Sequence, residues 1–158
     1  MTGWTELDFG WACLFCFGFS VASAVFPWLA VEVVVLALPA VARSPLALAG
    51  LVCVVTAGQM TGKGLVYWTG RRSALSSPRV ARSIDRWQAR LTRSRAGPVT
   101  VVFLSSAVGI PPFFLVTAMA GTVRLSFSRF MLAGTLGRLV RFGLLVFVPQ
   151  LVTAWLRR

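Results

Sequence analysis

The chain has 158 residues, of which 57% are apolar and only 13% are charged. A soluble domain of this size cannot enclose so large an apolar fraction in one core, so the composition excludes an ordinary soluble protein and indicates that the lipid bilayer is the solvent. Sixteen Lys and Arg against four Asp and Glu give a net charge of +12. In a membrane protein this surplus indicates anionic lipid headgroups, rather than nucleic acid, as the partner.

The sequence contains no histidine, which is the commonest general base and a frequent metal ligand. Without it no Ser-His or Cys-His pair can be proposed, so we expect no enzyme, no metal site and no cofactor. The alternative, an intramembrane enzyme acting on lipid phosphates, usually needs a His or clustered carboxylates, which the sequence lacks.

The first half of the predicted membrane domain covers residues 9–70 and begins with an uncharged stretch at residues 9–31. This stretch meets the roughly 20 apolar residues that a spanning helix needs. Glu6 and Asp8 precede it, whereas a cleaved signal peptide begins with Lys or Arg. We therefore expect the segment to stay in the protein.

A broken segment is predicted at residues 26–42. It contains Pro27 and Pro39, which interrupt helical hydrogen bonding, and it carries the acidic residue Glu32. The part after Pro27 is too short to span a bilayer alone. These features predict a re-entrant hairpin rather than a second full helix.

A long spanning helix is predicted to begin at Pro45. Gly58 and Gly62 have the spacing that permits close contact with another helix. Lys63 lies eight residues before Arg71, which is roughly 12 Å inside the helix end at 1.5 Å per residue. For Lys63, partial snorkelling to the interface and a role in a site are both open.

Residues 71–97 are predicted to form an Arg-rich link that contains an amphipathic helix at about residues 78–93. Its apolar stripe consists of Val80, Ile84, Trp87 and Leu91, and its basic faces include Arg82, Arg86 and Arg90. This pattern is typical of a helix in the plane of an anionic interface, with a solvated linker helix as the alternative. The positive-inside rule puts the loop 71–95 in the cytoplasm of a multi-pass plasma-membrane protein.

The second half covers residues 98–156 and contains a second broken segment at residues 105–121. Adjacent Pro111 and Pro112 near its middle predict a second hairpin, because an unbroken helix would lose several backbone hydrogen bonds there. Both halves have a Pro-interrupted stretch followed by a long Gly-containing helix with cations, which favours a degenerate inverted repeat. The whole chain, residues 1–158, is thus interpreted as one all-α membrane domain.

Two arginines occupy the last predicted helix. Only 15 uncharged residues separate Arg141 from Arg157, fewer than the roughly 20 that a span needs, so the embedded part must extend back through Arg141. Arg138 lies three residues earlier on the same helix face. We expect both to face a polar cavity or a partner, because a charge in lipid is costly. Alternatively, Arg138 snorkels to an interface and Arg141 alone pairs with Glu32.

Four features of residues 26–142 resemble the DedA superfamily, also called the SNARE-associated or VTT-domain family, and most of all its small YqaA-type members. They are Glu32 after Pro27, the helix end GKGLVYWTGRR, the sequence IPPFFLVTAMAG after the basic loop, and Phe130 followed by GRLVRF. The sequence differs in two respects, because Val108 and Phe114 stand where many family members carry arginines, and the spacing from Pro27 to Glu32 is longer than the family pattern leads us to expect.

This resemblance implies two membrane-penetrating hairpins packed between transmembrane helices. It also implies that the protein moves lipids across the bilayer, including polyprenyl-phosphate carriers in bacteria. We therefore expect a flippase or scramblase for a phosphate-bearing lipid. In it Arg138 and Arg141 bind the phosphate with their planar guanidinium groups, and Glu32 serves proton coupling or an ion pair.

The competing interpretation is a structural or assembly membrane protein. In this hypothesis Glu32 pairs with Arg138 or Arg141 to lock the helices together, and no substrate is bound. The sequence leaves open the oligomeric state, the lipid that is moved and the driving ion.

Overall fold

The computed structural model describes residues 6–26, 29–42, 44–73 and 97–156, which fold into helices and contain no β-strand. The all-α fold class is therefore confirmed for these residues. They form six helices: α1 (Glu6–Val25), α2 (Val31–Val41), α3 (Pro45–Ser73), α4 (Pro98–Val108), α5 (Phe113–Thr122) and α6 (Phe127–Leu156).

Two of the helices are long and apolar enough to cross a membrane. They contain the stretches Pro45–Arg72 and Phe127–Gln150, of 28 and 24 residues. The apolar part of α1, Phe9–Val25, is shorter than the uncharged stretch at residues 9–31 that we expected to span. The helix ends two residues before Pro27, and a residue that precedes proline disfavours the helical conformation.

The predicted interruption at Pro111 and Pro112 is confirmed. Helix α4 begins with Pro98 in its first turn, where the missing N–H is not needed. It ends at Gly109, whose φ of 90° lies in the left-handed region that favours glycine. Helix α5 begins at Phe113, directly after the two prolines, and packs against α4.

The prediction that Pro39 breaks its segment is wrong. Pro39 lies inside α2, which continues to Val41 and is closed by a hydrogen bond from the Ala42 N–H to the Leu38 carbonyl. The proline occupies the last turn, so little helix remains beyond it to be disrupted. The 11 residues of α2 extend about 16 Å at 1.5 Å per residue, too short for a full span, as predicted.

The chain forms two compact units, Met1–Gly62 with Phe142–Arg158 and Lys63–Arg141. In the first unit α1 packs closely on α3 at Gly58 and Gly62, as the spacing of these glycines predicts. A Cβ atom on Gly58 would lie 2.6 Å from the Phe17 carbonyl oxygen, and one on Gly62 would lie 2.6 Å from the Val21 carbonyl oxygen. Only a residue without a side chain fits either position.

A buried amide joins the same two helices. Gln59 is 2% exposed, and its Nε2 donates hydrogen bonds to the Ser20 carbonyl at 3.2 Å and to Ser23 Oγ at 2.5 Å. Ser23 Oγ in turn donates to the Ser20 carbonyl. We use the name neutral seam for Gly58, Gln59 and Gly62 together with the α1 residues that they contact.

In the second unit, small residues again bring helices together. A Cβ on Gly70 would collide with the Ala118 carbonyl, and one on Gly121 with the Tyr67 carbonyl, so the end of α3 lies directly on α5. Gly137 of α6 lies against Ser106 of α4 in the same way. These contacts hold the α4–α5 pair against both long helices of the unit.

Several sequence predictions concern residues outside the described part of the chain. They are the break at Pro27 and the amphipathic helix of the loop 71–95, with Val80, Arg82, Ile84, Arg86, Trp87, Arg90 and Leu91. These stay predictions, as does the interpretation of the chain as one membrane domain.

Candidate functional site

Arg138 lies inside the second unit. Its side chain is 8% exposed, its Nε is buried, and its Cζ lies 5.0 Å from the centre of the Phe113 ring. A guanidinium over an aromatic face is attracted by the electron-rich face of the ring. The side chain therefore packs against Phe113 of α5. The alternative in which Arg138 snorkels to an interface stays a prediction.

Lys63 approaches the same aromatic ring from α3. It is 3% exposed, and its Nζ lies 5.9 Å from the centre of the Phe113 ring and 5.1 Å from that of Phe114. The structure thus brings Lys63 and Arg138 to one phenylalanine at the start of α5. The sequence alone leaves the role of Lys63 open, because Phe113, which Lys63 approaches, lies fifty positions further along the chain.

Arg141 contacts the other side of the α4–α5 break. Its Nη1 donates a hydrogen bond of 2.6 Å to the Val108 carbonyl, at the C-terminal end of α4. The guanidinium also lies against Gly109, where an added Cβ would be 2.7 Å from Nη1. The φ of Gly109 thus favours glycine at this position, and a side chain there would also displace the end of the Arg141 side chain.

The loop 109–112 joins the C-terminus of α4 to the N-terminus of α5. Ser105 Oγ donates a 2.6 Å hydrogen bond to the Pro111 carbonyl, which fastens the loop to α4. The negative end of the α4 dipole suits the cation of Arg141. The positive end of the α5 dipole lies at Phe113, beside Lys63 and Arg138, so positive potential accumulates on this side of the loop.

A stack of aromatic rings continues from the cations along the unit. Phe113 stacks on Phe130 at 6.2 Å between centroids, and Phe130 stacks on Tyr67 at 5.1 Å. The Tyr67 hydroxyl donates to the Leu125 carbonyl and accepts a 3.1 Å hydrogen bond from Arg71 Nη1. All three rings are buried, so the stack holds Phe113 in place beneath both cations.

The cations lie well inside the helices that carry them. Lys63 is about 12 Å from Arg71 along α3, and Arg138 is about 16 Å from the start of α6 at Phe127, at 1.5 Å per residue. Phe127 contacts the Tyr67 and Trp68 rings, so these two helix ends lie side by side. Both charges are therefore at least two turns away from this end of the unit.

Lys63, Arg138 and Arg141 together form what we call the cation cluster. In the sequence between Lys63 and Arg141 the only acidic residue is Asp85. Among the residues that the structure describes, no group of three or more His, Cys, Asp or Glu side chains is placed to hold a metal ion. The cluster's chemistry is that of two cations beside an aromatic ring and a third, Arg141, at the end of the neighbouring helix α4, which suits an anion.

Glu32 belongs to the other compact unit and lies in the first turn of α2, where it is partly exposed. A carboxylate in the first turn interacts favourably with the helix dipole. Its predicted pairing with Arg138 or Arg141 stays a prediction.

Comparison with protein-family models, with curated proteins and with solved structures finds no match for this chain.

Proposed function

We propose that the protein is a DedA-like membrane transporter, a flippase or scramblase that moves a phosphate-bearing lipid across the bilayer. The observation that supports this most is the burial of Lys63 and Arg138, which lie 3% and 8% exposed beside Phe113 at a break between two helices. The lipid is a phospholipid or a polyprenyl-phosphate carrier.

Burying a charged side chain in an apolar environment is costly. A cation near the centre of a bilayer costs roughly 2.5 to 3.5 kcal/mol on insertion scales. The cation cluster includes two buried cations, Lys63 and Arg138, where packing alone would favour apolar residues. A phosphate bound within the cluster offsets this cost, because charge-assisted hydrogen bonds from arginine to phosphate are short and strong.

The charge balance favours an anion as well. Glu32 is the one acidic residue within the apolar segments that sequence analysis defined, and one carboxylate neutralises at most one of three cations. Glu32 alone therefore does not neutralise the cluster. Interrupted helices in transporters commonly direct a helix N-terminus at an anionic substrate, and the N-terminus of α5 lies beside two of these cations.

We further propose that α4 and α5 form a re-entrant hairpin. Their 11 and 10 residues extend about 15 Å, half of a hydrocarbon core of about 30 Å, which would put the loop 109–112 near the middle of the membrane. In this proposal α2 and the Pro27-containing segment before it take the corresponding place in an inverted repeat, although α2 itself is one continuous helix. The basic amphipathic helix of the loop 71–95 lies on the cytoplasmic leaflet.

Lipid translocation in reconstituted vesicles tests the proposal directly. Purified protein should accelerate the exchange of a fluorescent phosphate-bearing lipid between leaflets relative to protein-free vesicles. Arg138→Gln should lower this rate about tenfold or more, because a charge-assisted contact to the phosphate is lost. Arg129→Gln is the matched control, since Arg129 is an exposed arginine on the same helix. Equal rates in wild type and Arg138→Gln contradict the proposal.

Arg141 offers a test of bidentate binding. Arg141→Gln and Arg141→Lys should both slow translocation, because lysine keeps the charge but loses the planar fork that grips a phosphate. If Arg141→Lys keeps the wild-type rate, the residue acts as a point charge only.

Glu32 is proposed to couple transport to protons. Glu32→Gln should leave the protein folded and make the translocation rate independent of a pH gradient that alters the wild-type rate. A Gln variant with wild-type rates at every pH tested would assign Glu32 to structure instead.

One contact favours the alternative, a structural or assembly protein without a substrate. The hydrogen bond from Arg141 to the Val108 carbonyl fastens α6 to the end of α4, as a locking residue would, and an ion pair of Glu32 with Arg138 or Arg141 would extend that lock. A structural function predicts that vesicles containing the wild-type protein translocate no lipid. It also predicts that Arg141→Gln lowers the thermal unfolding temperature of the protein.

A further inference from the structure

An apolar groove runs along the α4–α5 pair on the second unit. It encloses a cavity of about 100 Å³, and its walls are almost entirely apolar. The lining residues are Pro98, Val101, Val102, Pro111, Leu115, Val116, Met119, Ala120, Val123 and Leu125. Pro111 lies in the loop beside the cation cluster, whereas Pro98 and Leu125 lie at the opposite end, which we call the mouth.

Positive charge marks the mouth. Arg124 is exposed and lies between Val123 and Leu125, which both line the groove. Its φ of 55° is in the left-handed region, which a non-glycine residue rarely adopts. Arg71 lies near the same point, since it donates to the Tyr67 hydroxyl, which donates to the Leu125 carbonyl.

Aromatic residues surround the same end of the unit. Trp68 is 46% exposed, and Arg71 Cζ lies 5.3 Å from the centre of its ring. Trp and Tyr with flanking arginines are typical of the level at which lipid headgroups meet hydrocarbon. The mouth thus has the composition of a membrane interface, and the groove leads from it into the apolar layer.

We propose that the groove binds one hydrocarbon chain of an anionic lipid whose headgroup lies at Arg124 and Arg71. This inference rests on the proposed function, because it identifies where the transported lipid is held before its headgroup reaches the cation cluster. The walls of the groove have almost no hydrogen-bond donors or acceptors for a peptide backbone, whereas a hydrocarbon chain needs no hydrogen bonds.

The length of the groove agrees with this occupant. Helix α5 extends about 15 Å, which is half of a hydrocarbon core of about 30 Å and therefore the depth of one lipid leaflet. A chain that begins at Arg124 ends beside Pro111. The groove and the cation cluster would then bind the two chemically different parts of one amphiphile at successive stages.

Photolabelling of the full-length protein in phosphatidylcholine vesicles tests the inference. The probe is phosphatidate with a diazirine at the middle of one acyl chain, and labelled residues are identified by mass spectrometry. We expect labels to concentrate on groove residues such as Val101, Leu115 and Met119. A label spread evenly over lipid-exposed residues, including Leu104 and Leu144, overturns the inference.

Filling the groove should exclude the chain. In Val101→Trp the indole occupies part of the groove, and labelling of Leu115 and Met119 should fall about tenfold, which corresponds to roughly two methylene groups no longer buried. Leu104→Trp is the matched control, because Leu104 is exposed on the same helix and does not line the groove. Equal labelling in both variants counts against the groove.

The headgroup is tested with a second probe and a second position. Phosphatidylcholine with the same diazirine chain should label the groove several-fold less than phosphatidate. Arg124→Gln should remove this difference and Arg124→Lys should keep it, because lysine retains the charge. If wild-type protein labels equally with both probes, the assignment of an anionic headgroup is wrong.

Translocation measured on the same vesicles separates this inference from the proposed function. Groove labelling without any acceleration of lipid exchange refutes transport and leaves a lipid-binding groove. Acceleration without groove labelling refutes the groove and leaves the transporter.

Discussion

The neutral seam and the cation cluster both include residues of α3, the seam at residues 58–62 and the cluster at Lys63, whereas the two arginines of the cluster lie on α6. In the seam, Gly58 and Gly62 admit α1 to backbone contact, and Gln59 makes hydrogen bonds to Ser20 and Ser23. In the second unit, Gly70 admits α5 in the same way, but the buried polar residue on that stretch is Lys63. Both regions have backbone contact through glycine, but only the second contains a buried charge.

The neutral seam shows what is needed to hold two apolar helices together. The buried cations are not needed for that purpose. Small residues and an internally satisfied amide are sufficient to join two helices where lipid provides no hydrophobic drive. A buried lysine and a buried arginine make helix packing less favourable, since both must be desolvated. Helix packing therefore accounts for the neutral seam, whereas the buried charge of the cation cluster is the feature that the proposed phosphate ligand would explain.

The largest effect is expected from widening the neutral seam. Gly58→Leu inserts a side chain where even a Cβ would lie 2.6 Å from the Phe17 carbonyl, and overpacking of this kind costs about 3 kcal/mol. Thermal unfolding in lipid or detergent measures the loss. Gly50→Leu is the control on the same helix, because a Cβ there meets nothing within 4 Å. Equal stability of both variants would mean that α1 does not rest on Gly58.

A smaller effect, and one on function, is expected at Lys63. Lys63→Met keeps the length of the side chain and removes its charge, and we expect lipid translocation to fall about tenfold. Lys63→Arg should retain most of the rate, since the cation stays near Phe113. If Lys63→Met translocates lipid at the wild-type rate, Lys63 serves helix packing only. The two regions would then not differ in function.

The smallest effect is expected at Gln59. Gln59→Leu removes two hydrogen bonds within the neutral seam, and hydrogen bonds between membrane helices contribute only about 0.6 kcal/mol on average, so we expect a loss of about 1 kcal/mol. Translocation per folded protein should stay unchanged. A fall in rate with no change in unfolding temperature would assign the seam a part in transport.

Much of the helical organisation was predictable from the sequence because it follows from local rules. The long helices α3 and α6, the break at Pro111 and Pro112, and the close approach at Gly58 and Gly62 depend on apolar length, backbone donors and side-chain size. The error at Pro39 has a local cause too, since a proline in the last turn of a helix leaves little helix beyond it to break.

The cation cluster was only partly predictable. The spacing of Arg138 and Arg141 identified both, and the length of the last apolar stretch predicted that the membrane-embedded part extends back to them. The meeting of Lys63 with Phe113, and of Arg141 with the Val108 carbonyl, depends on how helices distant in sequence pack. No periodicity or motif encodes such contacts.

Tyr67 is the one tyrosine in the chain, and its hydroxyl binds the Leu125 carbonyl and Arg71 at the mouth of the groove. Biosynthetic incorporation of fluorotyrosine would therefore give a single fluorine resonance from a known position. The ring also stacks on Phe130, which stacks on Phe113. One spectroscopic signal thus reports on the junction between α5 and α6 and, through two ring contacts, on the phenylalanine that both buried cations touch.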